Sequence, residues 1–159
     1  MLNLSIVIPT HNEEQNISIL YKELKQVLEK LKKSYEIIFV DDGSKDNTFN
    51  ILFDISKKDK RIKIVKLLSN YGQSSAIAAG IQTAQGEDIV TMDSDLQHNP
   101  ADIPYLIEPL KEYHVVCGRR IKRPVNESFL TKTLPSKFSN YLINKLTGLN
   151  LKETTGGMK

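Results

Sequence analysis

Short apolar runs and longer amphipathic stretches alternate along this chain. Leu4 to Pro9 is an apolar run of strand length, and Glu36 to Val40, Ile62 to Leu68 and Glu87 to Met92 repeat the pattern. Between the first two, Ile17, Leu20, Tyr21, Leu24, Val27, Leu28 and Leu31 recur at helical spacing and define one apolar face. Asn12-Glu13-Glu14 predicts the start of that helix, with acids in its first turn to complement the helix dipole. Asp46 is placed as N-cap of a second helix carrying Phe49, Leu52 and Phe53. Ala76, Ala78, Ala79, Gly80 and Ala84 predict a third helix, of residues small enough to lie close against a sheet. Pro100 suits the first turn of a fourth, and His114 to Cys117 is placed as a fifth strand.

This alternation predicts an α/β fold: a mostly parallel, Rossmann-like sheet with helices on both faces, in one domain over residues 1–159. Such sheets bind ligands beyond the carboxyl ends of their strands. Polar clusters fall there: Thr10 to Glu13, Asp41 to Ser44, Asn70 to Gln73 and Asp93 to Gln97 each follow a strand. In the last, Asp93-Ser94-Asp95 offers two carboxylates one residue apart, hard oxygen ligands for a divalent cation that bridges to a diphosphate. Alone, Asp-x-Asp is also an ordinary turn sequence. Four clusters on one edge favour a binding site over solvated loops.

Composition narrows the classes. Forty per cent hydrophobic and 26% charged residues are ordinary for a globular protein. No run approaches the roughly 18 apolar residues of a membrane span, and the N-terminus reads as a strand, not a signal peptide, so a cytosolic or peripheral protein is expected. Cys117, the only cysteine, is expected to be a buried small hydrophobe. Arg119 to Lys152 holds eight basic residues against one acid, Glu127, so the rest of this +3 chain carries −4. That segment suits phosphates or an anionic membrane surface, or is a solvated basic face. Nucleic acid is not expected, since the segment has three aromatics, Phe129, Phe138 and Tyr141, and no reading motif.

Three ordered motifs spanning nearly the whole chain carry a resemblance. They are Val7-Ile8-Pro9-Thr10-His11-Asn12-Glu13, Val40-Asp41-Asp42-Gly43-Ser44-Lys45-Asp46-Asn47-Thr48 and Met92-Asp93-Ser94-Asp95-Leu96-Gln97-His98-Asn99-Pro100. Together they resemble the motifs of family 2 glycosyltransferases with the GT-A fold. Asn70-Tyr71-Gly72-Gln73 with Ser75-Ala76-Ile77, and Leu96-Gln97 after the acids, are similar to the polyprenyl-phosphate sugar transferases, dolichyl and undecaprenyl, of that family.

The resemblance implies residue roles. Pro9, His11, Asn12 and Glu13 match the first nucleotide-binding loop, whose aromatic position usually carries tyrosine. Asp41 matches a carboxylate that accepts from the nucleobase or ribose, with Asp42 and Ser44 in the same turn. Gly43-Ser44 also reads as a structural exit turn. Asp93 and Asp95 match the metal-binding pair, with Ser94 between them and Gln97 as a further ligand or orienting group, for Mg2+ or Mn2+. Arg120 matches an arginine that acts with the two aspartates in catalysis, and Lys132 stands where an arginine is usual. Either suits the leaving diphosphate or the acceptor phosphate. Phe138, Tyr141, Leu142, Lys145, Leu146 and Leu149 have the spacing of an interfacial helix or of one facing a core.

The implied reaction is inverting, metal-assisted transfer of a sugar from a UDP- or GDP-linked donor to a polyprenyl phosphate, peripherally at the cytoplasmic face of the membrane. The acceptor phosphate is already anionic and needs no general base; a sugar-hydroxyl acceptor, as in polysaccharide synthesis, would need one. Sugar nucleotidyltransferases need a Gly-rich loop after the first strand, and receiver domains need their paired acids there; neither is present. Glu153 to Lys159 preserves only the charge of the family's usual aspartate and arginine, and relatives continue into membrane-associated helices. Three expectations stay open: a truncated form, a piece of an interrupted gene, or a subunit completed by a second copy or by a partner with membrane helices. A nucleotide-sugar-binding remnant without transfer activity is the other functional class.

Overall fold

The computed structural model describes residues 2–118, of which 2–116 belong to one compact unit. Four strands, β1 (Leu4–Thr10), β2 (Tyr35–Asp41), β3 (Ile62–Lys66) and β4 (Asp88–Thr91), form one parallel sheet in the order β3-β2-β1-β4. Helix α1 (Ile17–Lys30) joins β1 to β2, α2 (Thr48–Lys58) joins β2 to β3, and α3 (Gln73–Thr83) carries the chain back across to β4.

Both faces of the sheet are covered, as the patterning predicts. Leu4, Ile6 and Ile8 of β1 and Ile37 and Phe39 of β2 point into the larger cluster with Leu20, Leu24 and Leu28 of α1 and Leu52 of α2. Each such side chain contributes about 2 kcal/mol by leaving water. Val7, Ile38 and Val40 point to the opposite face and meet Ala76 of α3. There Gly80 has a packing reason. A Cβ on it would overlap Val7 Cγ1 and come within 3.0 Å of Val40 Cγ2, so only glycine lets α3 lie this close.

The amino edge of the sheet is closed by two paired carboxylates. Glu36, almost fully buried at the start of β2, accepts from the Ser5 hydroxyl (2.6 Å) and the Gln85 N–H (2.7 Å), and pairs with Lys63 Nζ (2.6 Å). Burial pushes its carboxyl pKa up, but these donors outweigh burial and hold it below its ordinary value. Asp59, between α2 and β3, takes a fork from Arg61, Nε to Oδ1 at 2.8 Å and Nη2 to Oδ2 at 2.6 Å, with the Tyr21 hydroxyl at 3.0 Å. The Arg61 guanidinium holds that carboxyl well below the usual range, against the opposing effect of burial.

Several boundaries differ from the sequence reading. Glu13 and Glu14 lie in a turn before α1, whose N-cap is Asn16, because the Glu13 carbonyl accepts from the Asn16 and Ile17 N–H groups. Asn47 is the N-cap of α2, although Asp46 Oδ1 does accept from the Thr48 N–H (3.0 Å). β3 stops at Lys66, and Leu68 is 96% exposed. Pro100 opens a 3-10 turn, Pro100–Asp102, followed by the five-residue α4 (Ile103–Ile107) and a second 3-10 turn, Glu108–Lys111. Pro109 has no N–H to continue the helix. The expected fifth strand is absent among the described residues: His114 to Cys117 pair with no strand, Val115 is exposed, and Cys117 is exposed where burial was expected. The burial expectation rested on that strand. No described helix is long and apolar enough to cross a membrane.

Candidate functional site

The direction of connection reverses between β1 and β4, and there the carboxyl edge opens. β1 pairs with β4 only as far as Val7↔Thr91, while on its other side it pairs with β2 to Thr10↔Asp41. Beyond Val7, β1 continues through Pro9, which has no N–H to donate. This is the crevice position at which open α/β sheets bind ligands.

The loops after β1 and β2 are laced by side chains bonding to backbone. Asn12 is the hub, in the left-handed region (φ 57°) that asparagine tolerates better than most residues. Its N–H donates to Ser44 Oγ (3.0 Å), its Oδ1 accepts from the Lys45 N–H (2.8 Å), and its Nδ2 donates to His11 Nε2 (3.0 Å). His11 Nδ1 lies 2.8 Å from the Asp42 carbonyl, which can only accept, so Nδ1 carries the proton and Nε2 the lone pair. The Glu13 N–H donates to Thr48 Oγ1 (2.8 Å), the Glu14 N–H to Asp46 Oδ2 (3.2 Å), and Glu14 Oε2 accepts from the Asn47 N–H (2.9 Å). Burial raises the Asp46 carboxyl pKa, but the Thr48 hydroxyl and the Thr48 and Glu14 N–H groups bring it below its ordinary value.

The loop after β3 is fastened to the same platform. Asp42, nearly buried, accepts from the Tyr71 N–H through Oδ1 and the Gly72 N–H through Oδ2, both at 2.8 Å. Gly43 has φ +66°, and a Cβ there would lie 2.6 Å from the Ser69 carbonyl carbon. Glycine is required by its own torsion and by the neighbouring backbone. Asp41, fully buried, accepts from the Ser44 N–H (3.1 Å), and its Oδ2 has no partner among the described residues.

After β4 the chain turns through Asp93-Ser94-Asp95. Buried Ser94 donates through Oγ to the Pro9 carbonyl (3.1 Å), tying this turn to the end of β1. Exposed Asp95 accepts from the Gln97 N–H through Oδ1 (3.0 Å). Leu96 then adopts φ 61°, which costs an apolar L-residue about 1–2 kcal/mol. Its side chain packs against the main core, which holds this strained conformation next to Asp95. Asp93 Oδ1 accepts from Gln73 Nε2 (2.5 Å), and His98 Nδ1 lies 3.8 Å from Asp93 Oδ2.

Between these loops lies an open cleft of about 430 Å3. Of the residues singled out in the sequence, Pro9, His11, Glu13, Asp42, Asp93, Ser94 and Asp95 line it together. Asn12, Asp41, Ser44 and Gln97 do not; the first three brace the loops, and Gln97 supplies an N–H to Asp95. Arg120, Lys132 and the helix expected through Phe138 to Leu149 lie outside the described residues. Thr10, Asn70, Gly72 and Gln73 line the cleft without having been singled out one by one. For Gln73 a signal existed. It opens α3, and helical side chains tilt toward the helix N-terminus, here over the carboxyl edge.

Two carboxylates from one turn, Asp93 and Asp95, face the cleft, and no group of three or more His, Cys, Asp or Glu among the described residues is arranged for a metal. Such a pair suits a hard divalent cation whose remaining ligands are phosphate oxygens and water.

Residues 5–159 match the sequence profile of Glycosyl transferase family 2. The chain is 37% identical over 155 residues to the dodecaprenyl-phosphate galacturonate synthase of Rhizobium johnstonii, covering 96% of this chain and 45% of that protein. It is 39% identical over 152 residues to the undecaprenyl-phosphate 4-deoxy-4-formamido-L-arabinose transferase of Pectobacterium atrosepticum, covering 95% of this chain and 46% of the relative. The chain thus spans about half the length of the curated relatives it matches. Among solved structures, glucosyl-3-phosphoglycerate synthase from Mycobacterium tuberculosis, in complex with Mn2+, UDP and glucosyl-3-phosphoglycerate, superposes with a TM-score of 0.67 at 19% identity, covering 99% of this chain and 55% of that one. The fold is GT-A, and on sequence and architecture together the chain belongs to glycosyl transferase family 2.

Proposed function

We propose that the cleft binds a nucleotide-diphosphate sugar, UDP- or GDP-linked, together with Mg2+ or Mn2+, and that the protein transfers the sugar with inversion to a polyprenyl phosphate at the cytoplasmic face of the membrane. The observation that carries this reading is the pair Asp93 and Asp95, lining the cleft at the crevice between β1 and β4. The names of the two relatives above, both polyprenyl-phosphate enzymes, supply the acceptor class.

Each residue has a chemical part. His11 has both ring nitrogens committed, so its remaining capacity is the ring face, against which a nucleobase stacks. Asp41, Asp42, Asn12 and Ser44 fix the loops that form the nucleoside side of the cleft. Asp93 and Asp95 hold the cation, with Gln97 orienting Asp95. When bound, the cation supplies positive charge where the leaving diphosphate accumulates negative charge. Arg120 and Lys132 are assigned to the leaving diphosphate or the acceptor phosphate on their match to the family motifs. The acceptor oxygen attacks from the face opposite the departing diphosphate, and because it is anionic near neutral pH no residue must remove a proton.

Incubation with short polyprenyl phosphates and radiolabelled UDP- and GDP-sugars tests the transfer. Label in the lipid fraction, lost on chelation of divalent cations, is the expected result. Nucleotide-sugar binding without transfer would identify a binding remnant, and transfer to a sugar hydroxyl instead would reassign the acceptor.

A further inference from the structure

Among the described residues, Gln73 reaches from the nucleoside side of the cleft to the metal side. It stands at the first position of α3, directly after the 70–72 loop held by Asp42, and its Nε2 donates to Asp93 Oδ1 at 2.5 Å. Asp93 is twenty residues further on, beyond β4, at the other edge of the sheet from β3, which precedes α3. We propose that Gln73 is a positioning residue that orients the Asp93 carboxylate for the divalent cation and couples nucleotide binding to metal binding; this rests on the assignment of Asp93 to the metal.

The side-chain chemistry supports that role. A carboxylate oxygen has two lone pairs, so a neutral amide N–H restrains the group while occupying only one of them. Carboxylates that bind metals are commonly held by such hydrogen bonds, and removing the holder typically costs 10- to 100-fold in metal affinity. A lysine at 73 would compete with the cation for the carboxylate. A glutamate would repel Asp93 in the empty site, add a third carboxylate for the metal, and turn negative charge toward the incoming diphosphate. Glutamine alone among these donates a hydrogen bond and brings no charge.

The link across the cleft has a second consequence. Tyr71 and Gly72 are fixed by Asp42, and Gln73 follows them without a break, so a nucleoside that settles against the 70–72 loop also settles the amide that orients Asp93. Metal and nucleotide should therefore bind cooperatively, beyond the direct contact between cation and diphosphate.

Mn2+ titration followed by electron paramagnetic resonance, on the 159-residue chain with and without UDP or GDP, tests the inference in Gln73→Ala, Gln73→Asn, Gln73→Glu and Asp93→Asn, with thermal unfolding to confirm that each folds. Expected is an approximately tenfold or greater loss of Mn2+ affinity in Gln73→Ala, and a loss in Gln73→Asn as well, whose shorter side chain does not reach. Gln73→Glu should bind Mn2+ alone at least as tightly as the parent and bind UDP or GDP at least tenfold more weakly. Parent-like Mn2+ and nucleotide binding in Gln73→Ala, with Mn2+ binding lost in Asp93→Asn, would overturn the role of Gln73 and leave the metal assignment standing. Parent-like Mn2+ binding in Asp93→Asn would overturn the metal assignment, and this inference with it.

Discussion

The two edges of the sheet handle their carboxylates in opposite ways. At the amino edge, Glu36 is paired with Lys63 and Asp59 with Arg61, each at 2.6 Å. At the carboxyl edge, Asp41, Asp42 and Asp95 accept from backbone N–H groups, and among the described residues none of the three is ion-paired with Lys or Arg. An acid paired with a base within the fold is electrostatically finished; one held only by neutral dipoles still attracts positive charge. The amino edge therefore locks the architecture. The carboxyl edge is left anionic over a cleft, which suits a site that recruits a cation.

Breaking the amino edge should cost the most stability and leave binding intact. Glu36→Ala strands the buried Ser5 hydroxyl and the Gln85 N–H and takes the carboxylate from partly exposed Lys63, so urea denaturation should show a loss of about 4 kcal/mol. Mn2+ and nucleotide affinities, measured well below the unfolding midpoint, should match the parent.

Gly43→Ala should give a smaller stability loss with a binding defect. The left-handed torsion and the collision with the Ser69–Asn70 backbone together cost about 3 kcal/mol. Displacement of the 69–72 loop should weaken UDP or GDP binding at least tenfold in calorimetry. Parent-like nucleotide affinity in a destabilised variant would remove that loop from the site.

The smallest effect is on pH dependence. The Glu36 and Asp59 carboxyls sit below their ordinary values of 4.5 and 3.8. Their contribution to stability is thus fully present above those values and lost as pH falls through the lower folded values. The urea midpoint should begin to drop below about pH 4.5, and in Glu36→Gln the drop should be shallower. An equally steep acid transition in that variant would place the acid-sensitive groups elsewhere.

The sequence made the architecture legible because its signals are local. Apolar runs of strand length, the helical spacing from Ile17 to Leu31 and the small residues of α3 each act within one element. The misplaced boundaries have separate causes: Pro109, itself a local signal, cuts short the helix that Pro100 opens, and His114 to Cys117 find no strand partner among the described residues. The site was legible as four clusters and less so as roles. The motifs place Asn12 and Asp42 in the nucleotide-binding loops, while their hydrogen bonds join segments 29–33 residues apart, a juxtaposition that exists only after the sheet has formed. Gln73 was visible in its cluster, but its contact with Asp93 depends on α3 crossing the sheet.

The central claim is that Asp93 and Asp95 hold a divalent cation against the diphosphate of an activated sugar. Calorimetric titration of UDP- and GDP-sugars, with Mn2+ or Mg2+ and with a chelator, into the parent, Asp93→Asn and Asp95→Asn tests it most directly. Metal-dependent binding of at least one donor is expected, reduced at least tenfold in either variant. Donor binding that is indifferent to the chelator and undiminished in both variants would contradict it.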